Sequence, residues 1–528
     1  MTEELSAAAE SLGSPDAPHF RRFSRINVAM LISGLVLIPI WQTSFARHTD
    51  GIENTYRQAG TGRMGQDFWR EFFYFHYYLG LFPVISEESA QEYSVEGAKA
   101  LLRDHPDSIL MEKRHKIRDG DLGQLFVFWV DALLRGTAEG ATVRPFNVLV
   151  FCASLMALWA ALWWAGYPGL GILLTVLVGS NPHQLYEVYV NEHVLGFAIS
   201  FAFLMLALHV PLMGARAAPR WYPWFLPVFA GLCVAVARQI RPEPYQILVA
   251  IPVIYLTAPG LTWRMRGAMA GLFLTTVSMG TSGFTAYFDR EFREATIRVE
   301  EIGGHVYNGP RRNYHLVWFP IFAGLGDFGS DKGYQWNDRN VYQYGLPILE
   351  ARLGIDLDWQ GGLYLNHYYD DAKKYGKKLE DYPEFMEIVR EKVVRDISGD
   401  PAWYAGILWK RLNVIATQTT PARLAWGGHW TTIVFWPIAA IPLALALALS
   451  REWFLLKLLL FTLPLSLVTL FVISSKGTSY YACYHLFVFP VFLAYLATII
   501  ARRRRETRSG LTVPWTPRLR ASNSESRG

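Results

Sequence analysis

Apolar runs of about 20 residues, separated by polar or basic turns, organise this chain. They fall near 26–45, 145–165, 169–182, 193–212, 222–240, 243–258, 267–287, 430–450, 453–473 and 482–501. A helix of about 20 apolar residues crosses a bilayer core of about 30 Å. The pattern therefore predicts an all-α polytopic membrane protein with about ten transmembrane helices. The runs 169–182 and 243–258 are short and need neighbours to shield their ends. Ser44-Phe45-Ala46 resembles a signal cleavage site. However, the first run is long for a signal core and a polar tail of about 25 residues precedes it, so it reads as a retained anchor.

Charge orients these runs. Arg21, Arg22 and Arg25 precede the first run, Arg216 and Arg220 follow the fourth, and Arg264 and Arg266 follow the sixth. Arg451 follows the eighth and Arg502 to Arg505 follow the last. With both termini inside, all of these basic residues share one face, which the positive-inside rule makes cytoplasmic. The organisation that results is a cytoplasmic tail (1–25), a transmembrane module (26–287) with its first outer loop at 46–141, an extracytoplasmic segment (288–429), C-terminal transmembrane helices (430–501) and a disordered basic tail (502–528). The outer face carries most of the polar complexity, and function is expected there. Aromatic-rich stretch 67–84 reads as an amphipathic helix in the headgroup layer. The run 123–135 is apolar but too short to span, 383–394 has helical patterning, and 401–415 reads as an interfacial helix.

Composition agrees with a membrane protein. Apolar residues make up 52% of the 528 and charged residues 18%, where about 25% charged is usual for soluble proteins. The net charge of +5 is small and lies largely in the tails, which argues against a nucleic-acid partner. Cys152, Cys233 and Cys483 have neither disulfide nor metal spacing and read as small core residues.

Candidate chemistry gathers on the outer face. Asp50 and Glu53 stand just past the first run. A carboxylate at a bilayer surface is either functional or, as before Asn54, a helix N-cap. Glu53 reads as a second carboxylate, a metal ligand or a helix surface charge. Arg238 and Arg241, with Lys476 in a later outer turn, are the cations available to an anionic headgroup; snorkelling to lipid is the alternative. Glu187, Glu192 and His193 lie in one outer turn and suit sugar hydroxyls or a divalent cation, or simply a solvated turn with a helix cap. The thirteen His residues show no metal-site spacing, so no cofactor is required by the sequence. In the outer segment, Asp327, Asp331 and Asp338 are spaced too loosely for a calcium loop. Trp318, Tyr334 and Trp336 are candidates for stacking on sugar rings, or for ordinary packing.

The order of these features resembles a family. Asp50, Tyr56 and Ala59 follow the first run, the short apolar stretch 124–134 comes next, and Arg144-Pro145-Phe146-Asn147 opens the second span. Gly231 then leads to Arg241-Pro242-Glu243-Pro244, and the outer turn from Lys476 to His485 is followed by Pro490. This arrangement resembles the GT-C class of integral membrane glycosyltransferases, which includes protein O-mannosyltransferases and the lipid A aminoarabinose transferase. Many members carry two adjacent acidic residues after the first span, whereas here Gly51 and Ile52 separate Asp50 from Glu53. The resemblance implies a bacterial inner-membrane enzyme with its active site facing the periplasm. It would move a sugar from a polyprenyl-phosphate donor to a glycan, lipid or protein acceptor. Asp50 would be the general base, with Tyr56, Arg238, Arg241, Lys476, Glu187, Glu192, His193 and His485 around the substrates. Three further readings share the same surface: an O-antigen ligase or polymerase-like transferase, a transporter or flippase of lipid-linked saccharide, and a non-catalytic membrane partner that docks through the outer segments. The absence of an internal repeat and the long one-sided segments favour an enzyme over a transporter.

Overall fold

The computed structural model describes residues 134, 144–179, 188, 195–214, 221–240, 245–301, 318–329, 331–354, 383–417, 420–426, 429–435, 437–461 and 488–509. These residues are mostly helical. Helix α1 spans Arg144–Trp164, α2 Pro168–Gly179, α3 Leu195–His209, α4 Tyr222–Ile240, α5 Tyr245–Leu256 and α6 Trp263–Glu301. Next come α7 (Trp318–Leu325), α8 (Asp338–Leu353), α9 (Pro383–Gly399) and α10 (Pro401–Thr417). An antiparallel hairpin of β1 (Thr420–Trp426) and β2 (His429–Phe435) precedes α11 (Ala440–Leu449), α12 (Trp453–Leu460) and α13 (Val488–Ser509).

Helices α1 and α4 are long and apolar enough to cross a membrane. The run 222–240 coincides with α4, and 145–165 differs from α1 by one residue at each end. The run 267–287 lies inside the 39-residue α6, which is about 58 Å long at 1.5 Å per residue. Its extension past 287 is charged, and Arg290 pairs with Glu294 one turn on at 2.7 Å. One expected span is corrected. The run 430–450 is not a single helix: its first part is strand β2, and α11 has only 10 residues. The segment Thr431-Thr432-Ile433-Val434 is β-branched throughout, and such residues favour a pleated strand over a helix.

Two cores form. The first joins α1 to α6 with α11 to α13. Phe151, Leu155, Leu158 and Leu162 recur every three or four residues along α1 and are fully buried. Helix α1 packs on α3, and α4 packs on α6. Small residues make the second contact close. A Cβ on Gly231 would stand 2.7 Å from the Thr276 Cβ, and one on Gly280 would stand 2.7 Å from the Ala235 Cβ. Gly231 and Ala235 are thus one turn apart on α4 and oppose Thr276 and Gly280, one turn apart on α6. Such small-residue seams let apolar helices associate where burial from water supplies no drive. Gly231, singled out above as part of a motif, is mid-helix and serves this contact.

Several turns meet at one end of this core. Tyr167 stacks on Phe454 with ring centres 4.7 Å apart. Gly214 abuts Pro259, Lys457 Nζ donates to the Thr257 carbonyl at 2.7 Å, and Arg502 pairs with Glu452 at 2.9 Å. Here Arg451 takes a left-handed backbone (φ 60°), a conformation that costs a residue bearing a Cβ roughly 1 kcal/mol or more. Nearby, His209 is fully buried between Met205, whose carbonyl meets Nδ1 at 2.6 Å, and the Tyr255 hydroxyl, 2.8 Å from Nε2. Gly214, the turn after α5, the turn before α12 and Arg502 therefore lie together; Arg21, Arg22, Arg25, Arg216 and Arg220 lie outside the described residues. Outward, α4 exposes Trp224, Phe225, Phe229 and Leu232, α5 exposes Val249 and Val253, and α11 exposes Ile441, Leu445 and Leu449. Exposed apolar faces of this extent mark contact with lipid or a partner.

The second core is built by α7 to α10. Phe385, Val389 and Val393 recur every fourth residue of α9 and close on Phe322, Val341, Leu346 and Leu349. Helix α8 is capped by the Asn337 side chain, which accepts from the Asn340 N–H at 2.7 Å, and it ends in Gly354 at φ 64°. Gly326 carries no Cβ because the backbone of Gln335 occupies that space.

Candidate functional site

Helix α10 is the organising element of a cleft among the described residues. Its start follows from local chemistry. Asp400 precedes Pro401, and its Oδ1 accepts from the Trp403 N–H at 3.0 Å, while proline suits the first helical position. From there Trp403, Gly406, Ile407 and Lys410 fall at spacings of three, four and seven, on one face of the helix. Opposite them stand Leu325, Phe328, Gly329 and Asp331. The eight residues enclose about 200 Å³.

The walls are held by ion pairs that differ in burial. Beneath the cleft, Arg411 Nε donates to Asp327 Oδ2 at 3.2 Å, tying α10 to the loop after α7. Burial pulls the Arg411 guanidinium below its usual range, and the charge of Asp327 acts against that. At the mouth, Lys332 Nζ lies 3.2 Å from Asp400 Oδ2 and 5.0 Å above the Trp403 ring. The Asp400 carboxyl is held below the ordinary range by the Trp403 N–H and then by Lys332.

The loop 331–334 is fixed from below. Lys332 has a left-handed backbone (φ 57°), and its carbonyl accepts from Lys392 Nζ at 3.0 Å. Lys392 also donates to Asp396 Oδ2 at 2.7 Å and lies 4.5 Å from the centre of the Tyr334 ring. The Tyr334 hydroxyl donates to the same oxygen of Asp396 at 2.9 Å. Burial, then the Asp396 carboxylate, push the Tyr334 hydroxyl well above the usual phenol range. Burial alone would raise Asp396, but hydrogen bonds from Lys392 and Tyr334 and the Lys392 charge outweigh it and hold the carboxyl low.

These positions sort the expectations from sequence. Of the residues expected around the substrates, Arg238 is described. It is half-buried in the last turn of α4, at the end away from the Tyr222 turn where the basic turns gather. Asp50, Glu53, Tyr56, Glu187, Glu192, His193, Arg241, Lys476 and His485 lie outside the described residues. Of the outer-segment candidates, Asp331 lines the cleft, whereas Asp327 is committed to Arg411. Tyr334 is buried and bonded to Asp396, so it presents no ring to a ligand. Trp318 and Trp336 pack against the second core.

Trp403, Phe328 and Lys410 were not singled out by sequence. The signal that finds them is the Trp403-Gly406-Ile407-Lys410 stripe, which the reading of 401–415 as an interfacial helix absorbed. Among the described residues, no group of three or more His, Cys, Asp or Glu side chains is placed to hold a metal ion. What the cleft offers chemically is two aromatic rings, one carboxylate and one ammonium around an apolar floor. No protein-family model, curated protein or solved structure matches the chain.

Proposed function

We propose that the chain is a multi-pass membrane glycosyltransferase of GT-C type, using a polyprenyl-phosphate sugar donor on the extracytoplasmic face of a bacterial inner membrane. The observation that carries the reading is the position of Arg238. It stands at the opposite end of α4 from the cluster of turns around Lys457, Arg502 and Glu452. With the basic end cytoplasmic, Arg238 falls on the face that the motif order assigns to Asp50 and Arg241. The exposed apolar faces of α4, α5 and α11 support a lipid environment for helices beyond the two of full spanning length.

In this mechanism an acceptor hydroxyl oxygen attacks the anomeric carbon of the donor. The carbon–oxygen bond to the phosphate breaks and polyprenyl phosphate leaves. Asp50 takes the hydroxyl proton, and Arg238 with Arg241 stabilises the charge gathering on the phosphate. Purified full-length protein incubated with radiolabelled polyprenyl-phosphate sugars and membrane lipid acceptors tests this. Release of polyprenyl phosphate, lost in Asp50→Asn without loss of fold, is the expected result. Release of polyprenyl diphosphate from diphosphate-linked oligosaccharides alone would make the protein ligase-like, and no release from any donor would favour transport.

A further inference from the structure

We infer that the cleft between α10 and the facing residues Leu325, Phe328, Gly329 and Asp331 is a saccharide subsite that takes one neutral pyranose ring. Its role in transfer, as a site for acceptor or product glycan, rests on the proposed glycosyltransferase activity; the binding itself does not. Size sets the first limit. A cavity of about 200 Å³ is below the roughly 300–1,000 Å³ of pockets that take drug-sized ligands, which suits one sugar ring rather than a lipid.

Charge sets the second. Lys332 and Asp400 pair with each other, as do Arg411 and Asp327. Among the described residues, Asp331 and Lys410 hold no ion pair and line the cleft as one carboxylate and one ammonium. A phosphate would meet the Asp331 carboxylate, and a bare cation would meet Lys410. A sugar uses both, donating hydroxyls to Asp331 and accepting from Lys410.

A pair of rings sets the third. Trp403 and Phe328 both line the cleft, and a pyranose presents an apolar C–H face that such rings cover. The Trp403 ring is already oriented: it stacks on Tyr334 with ring centres 5.7 Å apart, and Lys332 sits over its indole. Little ordering is left for binding to cost.

Saturation-transfer NMR on the full chain in a zwitterionic, sugar-free detergent tests the subsite, with methyl glucoside, mannoside and galactoside as probes and inorganic phosphate as counter-probe. At least one glycoside is expected to receive saturation on its ring C–H protons, and phosphate is expected not to compete with it. Trp403→Ala, and separately the surface change Asp331→Asn, should weaken that glycoside at least tenfold. Trp409→Ala, on another face of α10, should leave it within twofold. Asp331→Asn keeps the test valid should Trp403→Ala fail to fold. No transfer to any glycoside, competition by phosphate, or equal signals in wild type and both variants would overturn the subsite. Sugar transfer by Trp403→Ala at wild-type kcat and acceptor KM would remove the cleft from the reaction while leaving the transferase intact. Glycoside binding without transfer would do the reverse.

Discussion

Arg411 and Asp327 form an ion pair 3.2 Å apart with 1% and 0% of their side chains exposed, 84 residues apart in sequence. Such a pair is costly to bury and costlier to break. Arg411→Met leaves a carboxylate without its cation in the interior and is expected to cost about 3–5 kcal/mol. Asp327→Leu combined with Arg411→Met removes both charges and should recover most of that loss. Denaturant unfolding followed by near-ultraviolet circular dichroism reads both. A double variant as unstable as Arg411→Met would show that packing, rather than charge, is what the pair supplies.

Acid should loosen the same module through Asp396. Its folded pKa is depressed, so its contribution is present above the unfolded value near 3.9 and is lost as pH falls through the folded one. Wild type is therefore expected to be more stable than Asp396→Asn by a constant margin from pH 5 to 7. The margin should shrink as pH drops below about 4. Tyr334→Phe, which removes one donor to Asp396, should cost about 1 kcal/mol at neutral pH. Melting temperatures across a pH series check both expectations, and a margin independent of pH would show that Asp396 acts by shape alone.

Glycines on one helix should respond oppositely to the same methyl group. At Gly280 a Cβ meets Ala235 at 2.7 Å, whereas at Gly283 nothing lies within 4 Å. Gly280→Ala should destabilise by about 1–3 kcal/mol through overpacking. Gly283→Ala should stabilise by roughly 0.5–1 kcal/mol, because alanine is the better helix former. Thermal stability in detergent compares them directly. Equal effects at the two positions would mean that α4 and α6 do not pack through this seam.

Sidedness can be read by labelling. In a background with Cys152, Cys233 and Cys483 replaced, Gly260→Cys in the basic turn should react with an impermeant maleimide only after the cell membrane is opened. Ser398→Cys, exposed at the end of α9, should react in spheroplasts with intact membranes. Labelling of both from the same side would reject the orientation on which Arg238 is assigned to the donor face.

Helices with continuous apolar character were legible in the sequence, as α1 and α4 show. The hairpin was not. A 20-residue window averages over 430–450 and merges a β-branched strand with a short helix, although Gly427-Gly428 between the strands is a hairpin-turn signal. The cleft was half legible. Asp331 enters the sequence reading only as one of three acids spaced too loosely for a calcium loop, and Tyr334, a candidate for stacking, is taken into the interior by Asp396 and Lys392, partners distant in sequence. Trp403 and Lys410 acquire meaning only once α10 has a partner on that face. Spacing gives a helix its stripe, but not what the stripe will meet.

Helix α10 carries a second stripe. Trp409 and Leu412 are 70% and 43% exposed, and six residues at about 100° each place Trp409 about 120° around the helix from Trp403. Helix α10 also packs on the short turn Pro437–Ala439 that leads into α11, whose outer face is apolar. On the membrane reading, Trp409 suits the water–lipid boundary, and the Trp403 cleft then lies about a third of a turn of α10 away from that boundary. If the cleft takes the lipid-linked saccharide of the proposed function, that ligand arrives by lateral diffusion. Its capture is set by how many molecules share a square micrometre of membrane, and bulk dilution leaves it unchanged.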